Sequence, residues 1–245
     1  MKEQIVDIRT KDGAMETFLC CPERGGPYPT ILFLMDAPGI RPALLSMCER
    51  LAAAGHRTLL PNLYWRAARD IGFDRARFER EETGEKTRVL NLARGVTNAM
   101  VAEDMPAVLD ALGPGPVAAV GYCMSGRFAL LAMLEHPGRV AAAASFYGTR
   151  LVMEAEGQAS PHRRLAGLTK GEALVVFAEH DSYVPEGVHQ AMRETLARTP
   201  VPHRVDVYPG THHGFAFTDS KAHDAAAEAR HWDALFDLLS RVKVG

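Results

Sequence analysis

No run of about 18 consecutive apolar residues occurs in this chain, so the sequence offers no segment that would cross a bilayer as a helix. Its first residues, MKEQIVDIRTKDG, are too polar for a secretory leader, which makes a cytoplasmic protein the expectation. Blocks of like charge are missing as well. The 28 Lys and Arg are interspersed with 30 Asp and Glu, for a formal net charge of -2. Neither nucleic acid nor a membrane surface is an expected partner of such a chain. Cysteine is scarce. Of the four, Cys20 and Cys21 are adjacent while Cys48 and Cys123 stand far apart, which is neither a disulfide framework nor a C-x-x-C metal or redox pair. Internal repeats and low-complexity linkers are absent. What is present is 245 residues, 47% hydrophobic and 24% charged, enough for one soluble α/β domain with a filled core.

Apolar runs and turn signals alternate along the chain. IVDIRT and AMETFLCC flank Lys11-Asp12-Gly13 and predict a hairpin. TILFLMD, residues 30–36, is apolar up to its last residue, as in a strand buried on both faces. A helix over about 43–54 stops at Gly55, a residue suited to a C-terminal turn. HRTLLP, PVAAVGY, VAAAASFYG, ALVVFAEH and HRVDVYP read as further strands, and helical patterns over 127–135, 186–198 and 223–241 separate most of them. This alternation predicts a single α/β domain over 1–245, with a mostly parallel central sheet and helices on both faces. Residues 66–100 are rich in Arg and Glu and poor in strand signal, and read as a helical insertion over one end of the sheet.

GYCMSGR, residues 121–127, lies where the PVAAVGY strand gives way to a helical pattern beginning at about Met124. A side chain at such a junction projects from the C-terminal edge of the sheet, where open α/β folds bind ligands. A nucleophile elbow needs small residues two before and two after the nucleophile, because strand and helix nearly touch there. Around Cys123 those residues are Gly121 and Ser125, with Gly126 next. The nearby helix N-terminus favours the thiolate. Ser125 as nucleophile would place Cys123 and Arg127 at the crowded positions, and arginine is too large for one of them. The plainer alternative is that Cys123 is a small buried core residue.

An elbow nucleophile needs a base and a group that orients it, and in α/β-hydrolases the chain order is nucleophile, acid, histidine. Asp181 follows the strand ALVVFAEH, and His212 and His213 follow the strand VDVYP, in that order. All three sites fall at strand ends and can share one edge of the sheet with Cys123. A metal site built from His180, Asp181, His212 and His213 is disfavoured, because adjacent residues rarely face one ion and no helical His-x-x-x-His spacing occurs. No organic cofactor is expected either.

Taken together, GYCMSG, HDSYVP, HHGFAF and LLPNLYWR make the chain similar, over nearly its whole length, to the dienelactone hydrolase family (carboxymethylenebutenolidase-like enzymes). The resemblance implies an α/β-hydrolase fold and hydrolysis of a small ester or lactone. It favours His213, which directly precedes Gly214 and Phe215, over His212. It implies that Asp36 modulates the charge state of the thiol, with backbone N–H groups of Ala37 and Met124 forming the oxyanion hole. An arginine that holds the substrate carboxylate in well-known relatives is replaced here by Phe217, leaving Arg80, Arg88 or Arg150 as candidate cations. Tyr122, Tyr147, Trp65 and Phe217, with Phe215, lie in or beside the loops expected around the nucleophile and are expected to give an apolar, substrate-binding pocket.

The reading is a hydrolase with a Cys123-His213-Asp181 triad. Its rivals are a serine-type esterase or peptidase using Ser125, a non-catalytic binding protein on the same fold, and a thiol redox protein. The lack of a resolving cysteine near Cys123 disfavours the last.

Overall fold

The computed structural model describes residues 1–69, 71–73, 75–80 and 84–242. The chain forms two compact units, Met1–Gly115 and Pro116–Lys243.

In the first unit, β1 (Lys2–Arg9) and β2 (Ala14–Cys21) form the expected hairpin, in antiparallel register from Lys2↔Cys21 to Arg9↔Ala14. β2 continues the sheet onto β4 (Arg57–Pro61), antiparallel, and β4 pairs parallel with β3 (Thr30–Leu34). Every residue of β3 is buried, as its unbroken apolar run requires. Between β3 and β4 runs α1 (Pro42–Ala53), with proline in its first turn, where the lost N–H has no helical partner to miss. Gly55 follows with φ of 92°, a left-handed turn that ends the helix without a Cβ clash. The Arg- and Glu-rich stretch forms α2 (Arg75–Arg80) and α3 (Glu85–Gly95), and α4 (Asn98–Ala111) follows. Residues 70, 74 and 81–83 of that stretch lie outside the described residues.

The second unit is a parallel sheet in the order β5 (Val117–Tyr122), β6 (Val140–Phe146), β7 (Glu172–His180), β8 (His203–His212). β5 is buried throughout. The small residues of VAAAASF let α5 (Gly126–Glu135) pack closely on β5 and β6. Between β6 and β7 lies a short α6 (Pro161–Leu165), which the weak pattern of that stretch does not announce. α7 (Glu186–Ala197) packs on β8, and α8 (Ala225–Leu239) on β6. Asp224 caps α8 by accepting the N–H of Ala227 at 2.9 Å. Its own N–H donates to the Phe215 carbonyl at 3.1 Å, tying the start of α8 to the loop after β8.

β8 runs on to His212, beyond the VDVYP core of the pattern. A bulge causes this: Ala178 pairs with Tyr208, yet His180, two residues on, pairs with His212, four residues on. The extra residues of β8 bring His212 level with the end of β7. No helix among the described residues is long and apolar enough to cross a membrane.

Candidate active site

β5 ends at Tyr122 in extended conformation, and the chain then reverses at Cys123, whose φ is 51°. A non-glycine residue held in the left-handed region costs about 1–3 kcal/mol, which the surroundings must over-determine. They do so through close packing. A Cβ on Gly121 would lie 2.2 Å from the Ser125 carbonyl oxygen and 2.6 Å from its carbon. One on Gly126 would lie 2.6 Å from the Gly148 Cα and 2.3 Å from the Ser145 Oγ. The Cys123 carbonyl accepts the N–H of Thr149 at 2.9 Å. The elbow is thus clamped by a strand, a helix start and the loop after β6. A short 3-10 turn over Cys123–Ser125 precedes α5, so the α-helix begins two residues later than the expected Met124. The Met124 carbonyl is held by Arg127, whose Nη1 donates to it at 2.5 Å from a buried position.

The register of β7 and β8 sets the rest. Because His180 pairs with His212, the residues that follow, Asp181 and His213, emerge side by side. His213 Nδ1 meets Asp181 Oδ2 at 2.7 Å, with the carboxylate fully shielded from solvent. The other carboxylate oxygen accepts the N–H of Tyr183 at 2.8 Å, which fixes the acid in its turn. With Nδ1 engaged, Nε2 is the ring nitrogen left free to face Cys123, whose sulfur is electrostatically coupled to the imidazole. The structure therefore brings Cys123, His213 and Asp181 together. His212 points elsewhere: it is exposed, its Nδ1 lies 3.1 Å from the His180 carbonyl, and the two rings sit 5.4 Å apart. Among the described residues, no group of three or more His, Cys, Asp or Glu is placed to hold a metal ion.

Burial by itself pushes the His213 imidazole down, but the Cys123 sulfur and the Asp181 carboxylate overcome it and raise the group from 6.5 to about 10. The geometry therefore favours a protonated imidazole beside sulfur in the resting state. Since the folded value lies above the ordinary one, the stability this proton contributes is complete below about pH 6.5 and is lost as pH rises through about 10. Cys123 is the largest of the raising influences, so the His213 inflection, followed by NMR, should move down in Cys123→Ala. An unmoved inflection would mean that sulfur and imidazole are not coupled.

The aromatic residues expected to touch substrate require a correction. Tyr122, Tyr147 and Phe217 are at most 1% exposed and pack together as one cluster that reaches the His213 ring. Tyr122 stacks on Phe146 at 5.2 Å and lies 5.1 Å from Phe217, and its hydroxyl is 2.7 Å from His231 Nε2 on α8. Tyr147 sets its ring against His213 at 5.0 Å and against Phe215 at 5.1 Å. These rings are enclosed by one another and by Phe146, Phe215 and His231. The aromatic that sequence reasoning overlooked is Tyr183, which is 47% exposed and lies 4.9 Å from the His213 ring. Its signal was an aromatic two residues after the acid, within the turn HDSYVP.

The remaining candidates belong to the first unit, apart from Arg150. Asp36 is buried and met by both Nη atoms of buried Arg41, at 2.5 and 3.1 Å. Ala37 is fixed through its carbonyl, which accepts the Tyr64 hydroxyl at 2.7 Å. Trp65 lies against Gly13 at the hairpin turn and donates its indole N–H to Asp104 at 3.0 Å. Arg80 is exposed on α2, and Arg88 donates to the Gly72 carbonyl at 2.9 Å. Arg150, in the second unit, is exposed with φ of 56°, one residue past Thr149.

The strand, elbow and helix at Cys123, with acid and histidine after the following parallel strands, define an α/β-hydrolase. The sequence pattern of the dienelactone hydrolase family matches residues 15–243, and the chain belongs to that family. It is 25% identical to the carboxymethylenebutenolidase of Rhodococcus opacus over 221 residues, 88% of this chain and 82% of that one. It is 25% identical to the carboxymethylenebutenolidase of Pseudomonas putida over 236 residues, 96% and 95% of the two chains. Among solved structures it is similar to a dienelactone hydrolase-like promiscuous phosphotriesterase from metagenomic libraries, with a TM-score of 0.77 and 22% identity over 100% of this chain and 99% of that one.

Proposed function

We propose that this protein hydrolyses a small neutral ester or lactone through a covalent Cys123 acyl-enzyme. What supports the reading most is the 2.7 Å contact of His213 Nδ1 with the Asp181 carboxylate, on an imidazole that is also coupled to the Cys123 sulfur. The Cys123 thiolate attacks the substrate carbonyl carbon, forming a C–S bond and placing negative charge on the carbonyl oxygen. The backbone N–H of Met124, whose peptide plane is fixed by the Thr149 N–H bonded to the Cys123 carbonyl, donates to that oxygen. The intermediate then collapses. The C–O bond breaks, and the imidazolium of His213 gives its Nε2 proton to the departing oxygen, leaving a thioester, a neutral imidazole and an alcohol. In a lactone the alcohol stays tethered to the acyl group. Water completes the cycle: Nε2 takes one proton, hydroxide attacks the thioester carbonyl, the C–S bond breaks and the acid leaves. Thiolate and imidazolium are restored. Asp181 keeps the ring in the tautomer and orientation that both half-reactions need.

A substrate carboxylate needs a cation to offset its desolvation, and Phe217 supplies none. Neutral lactones should therefore be turned over at least as well as carboxylated ones of equal size. The test is kcat/KM for a matched lactone pair with and without the carboxylate, before and after alkylation of the thiol. Activity toward both should disappear on alkylation. A preference above roughly a hundredfold, about 2.7 kcal/mol, for the carboxylated member would overturn the neutral-substrate reading and make exposed Arg150 the first cation to remove.

A further inference from the structure

Among the described residues three large apolar side chains are exposed, Met1, Ile5 and Tyr183. Met1 precedes β1 and Ile5 lies on it, in the hairpin. Tyr183 is different, because it stands beside the proposed reaction centre. Two tyrosine rings approach the His213 imidazole. Tyr147 approaches at 5.0 Å with an interplanar angle of 63° and is fully buried. Tyr183 approaches at 4.9 Å and 56° and keeps nearly half its surface open. Nor is Tyr183 a loose surface ring. Its N–H is bonded to Asp181 Oδ1, and the turn closes through the Val184 N–H on the Asp181 carbonyl at 3.3 Å. The acid that orients His213 thus also fixes the backbone that carries the ring.

Chemistry determines what meets the open face. The proton of Nε2 goes to the departing oxygen, so that oxygen must come within about 3 Å of the ring nitrogen. Whatever the oxygen carries then extends alongside the imidazole, at the range where aromatic rings pair with centroids about 4.5–7 Å apart. We propose that Tyr183 forms a leaving-group subsite, a fixed aromatic wall that favours flat, apolar alcohol portions such as aryl groups over small alkyl ones. The inference rests on the cysteine reading above, because that reading places the departing oxygen at His213. It is specific to the alcohol side, since the acyl portion is shared by esters that differ only in leaving group.

The experiment measures kcat/KM for phenyl acetate and methyl acetate in the parent, Tyr183→Ala, Tyr183→Phe and Cys123→Ala. Comparing phenyl-to-methyl ratios between proteins cancels the intrinsic difference in ester reactivity. Tyr183→Ala should lower the ratio by about tenfold, while Tyr183→Phe, which keeps the ring, should hold it within about twofold. A ratio in Tyr183→Ala within about twofold of the parent's overturns the proposal. So does an equal loss for both esters with a displaced pH profile, which would make Tyr183 a positioning residue for His213. Hydrolysis of both esters by Cys123→Ala at the parental rate overturns the underlying cysteine reading, whichever way the Tyr183 ratio moves.

Discussion

Cys123→Ala lowers kcat/KM for an aryl ester by roughly 10⁴-fold or more on this account, since removing the nucleophile of a covalent triad costs losses of that order. Ser125→Ala retains most of the activity. Ser125 is fully buried, and its carbonyl group is pressed against Gly121, so its hydroxyl has no route to a substrate. Cys123→Ser falls nearly as far as the alanine variant. A serine hydroxyl gives up its proton far less readily than a thiol, so an imidazole placed to serve a thiol activates it poorly. Aryl-ester assays of the three variants decide the matter. Loss of activity in Ser125→Ala with retention in Cys123→Ala would transfer the nucleophile role to Ser125.

Gly121→Ala has the second largest effect. The added methyl would meet backbone atoms at 2.2 and 2.6 Å, and backbone cannot swing aside as a flexible side chain can. Strand end and 3-10 turn must separate, and Cys123 moves with them. A displacement of about 1 Å of a reacting group is enough for roughly a hundredfold loss in rate. Gly138→Ala is the comparison. Gly138 has φ of 89°, with nothing within 4 Å of an added Cβ, so it carries backbone strain alone. That variant should lose about 1 kcal/mol of stability and no catalytic rate. Thermal unfolding and kcat/KM measured on both variants separate the two effects. A Gly121→Ala enzyme with parental kcat/KM would show that the elbow tolerates the opening.

What could be read in the sequence was the part governed by local rules. Unbroken apolar runs marked β3, β5 and β7, and alternation with helical patterns marked the parallel arrangement of the second unit. The Gly121-x-Cys123-x-Ser125 spacing marked the elbow because sterics leave few residue types there. Features set by tertiary context were hidden. Nothing in the spacing of Asp36 and Arg41 announces a bidentate buried pair, because the turn that closes it has no periodicity. The aromatic residues near Cys123 look alike in one dimension. Only the packing shows that Tyr122, Tyr147 and Phe217 face inward, onto Phe146, Phe215 and His231, while Tyr183 faces out. The bulge that levels His212 with His180 is likewise a property of the pairing of two strands, and of neither strand alone.

The central claim is that Cys123 carries the acyl group during turnover. Rapid quenching within the first turnover of an aryl ester, followed by intact-mass and peptide mass measurement, tests it most directly. The account predicts a mass increase equal to one acyl group, located on the peptide containing Cys123 and released by hydroxylamine as a thioester. Release of a stoichiometric burst of aryl alcohol with no acyl group on Cys123, or with the acyl group on Ser125, would contradict it.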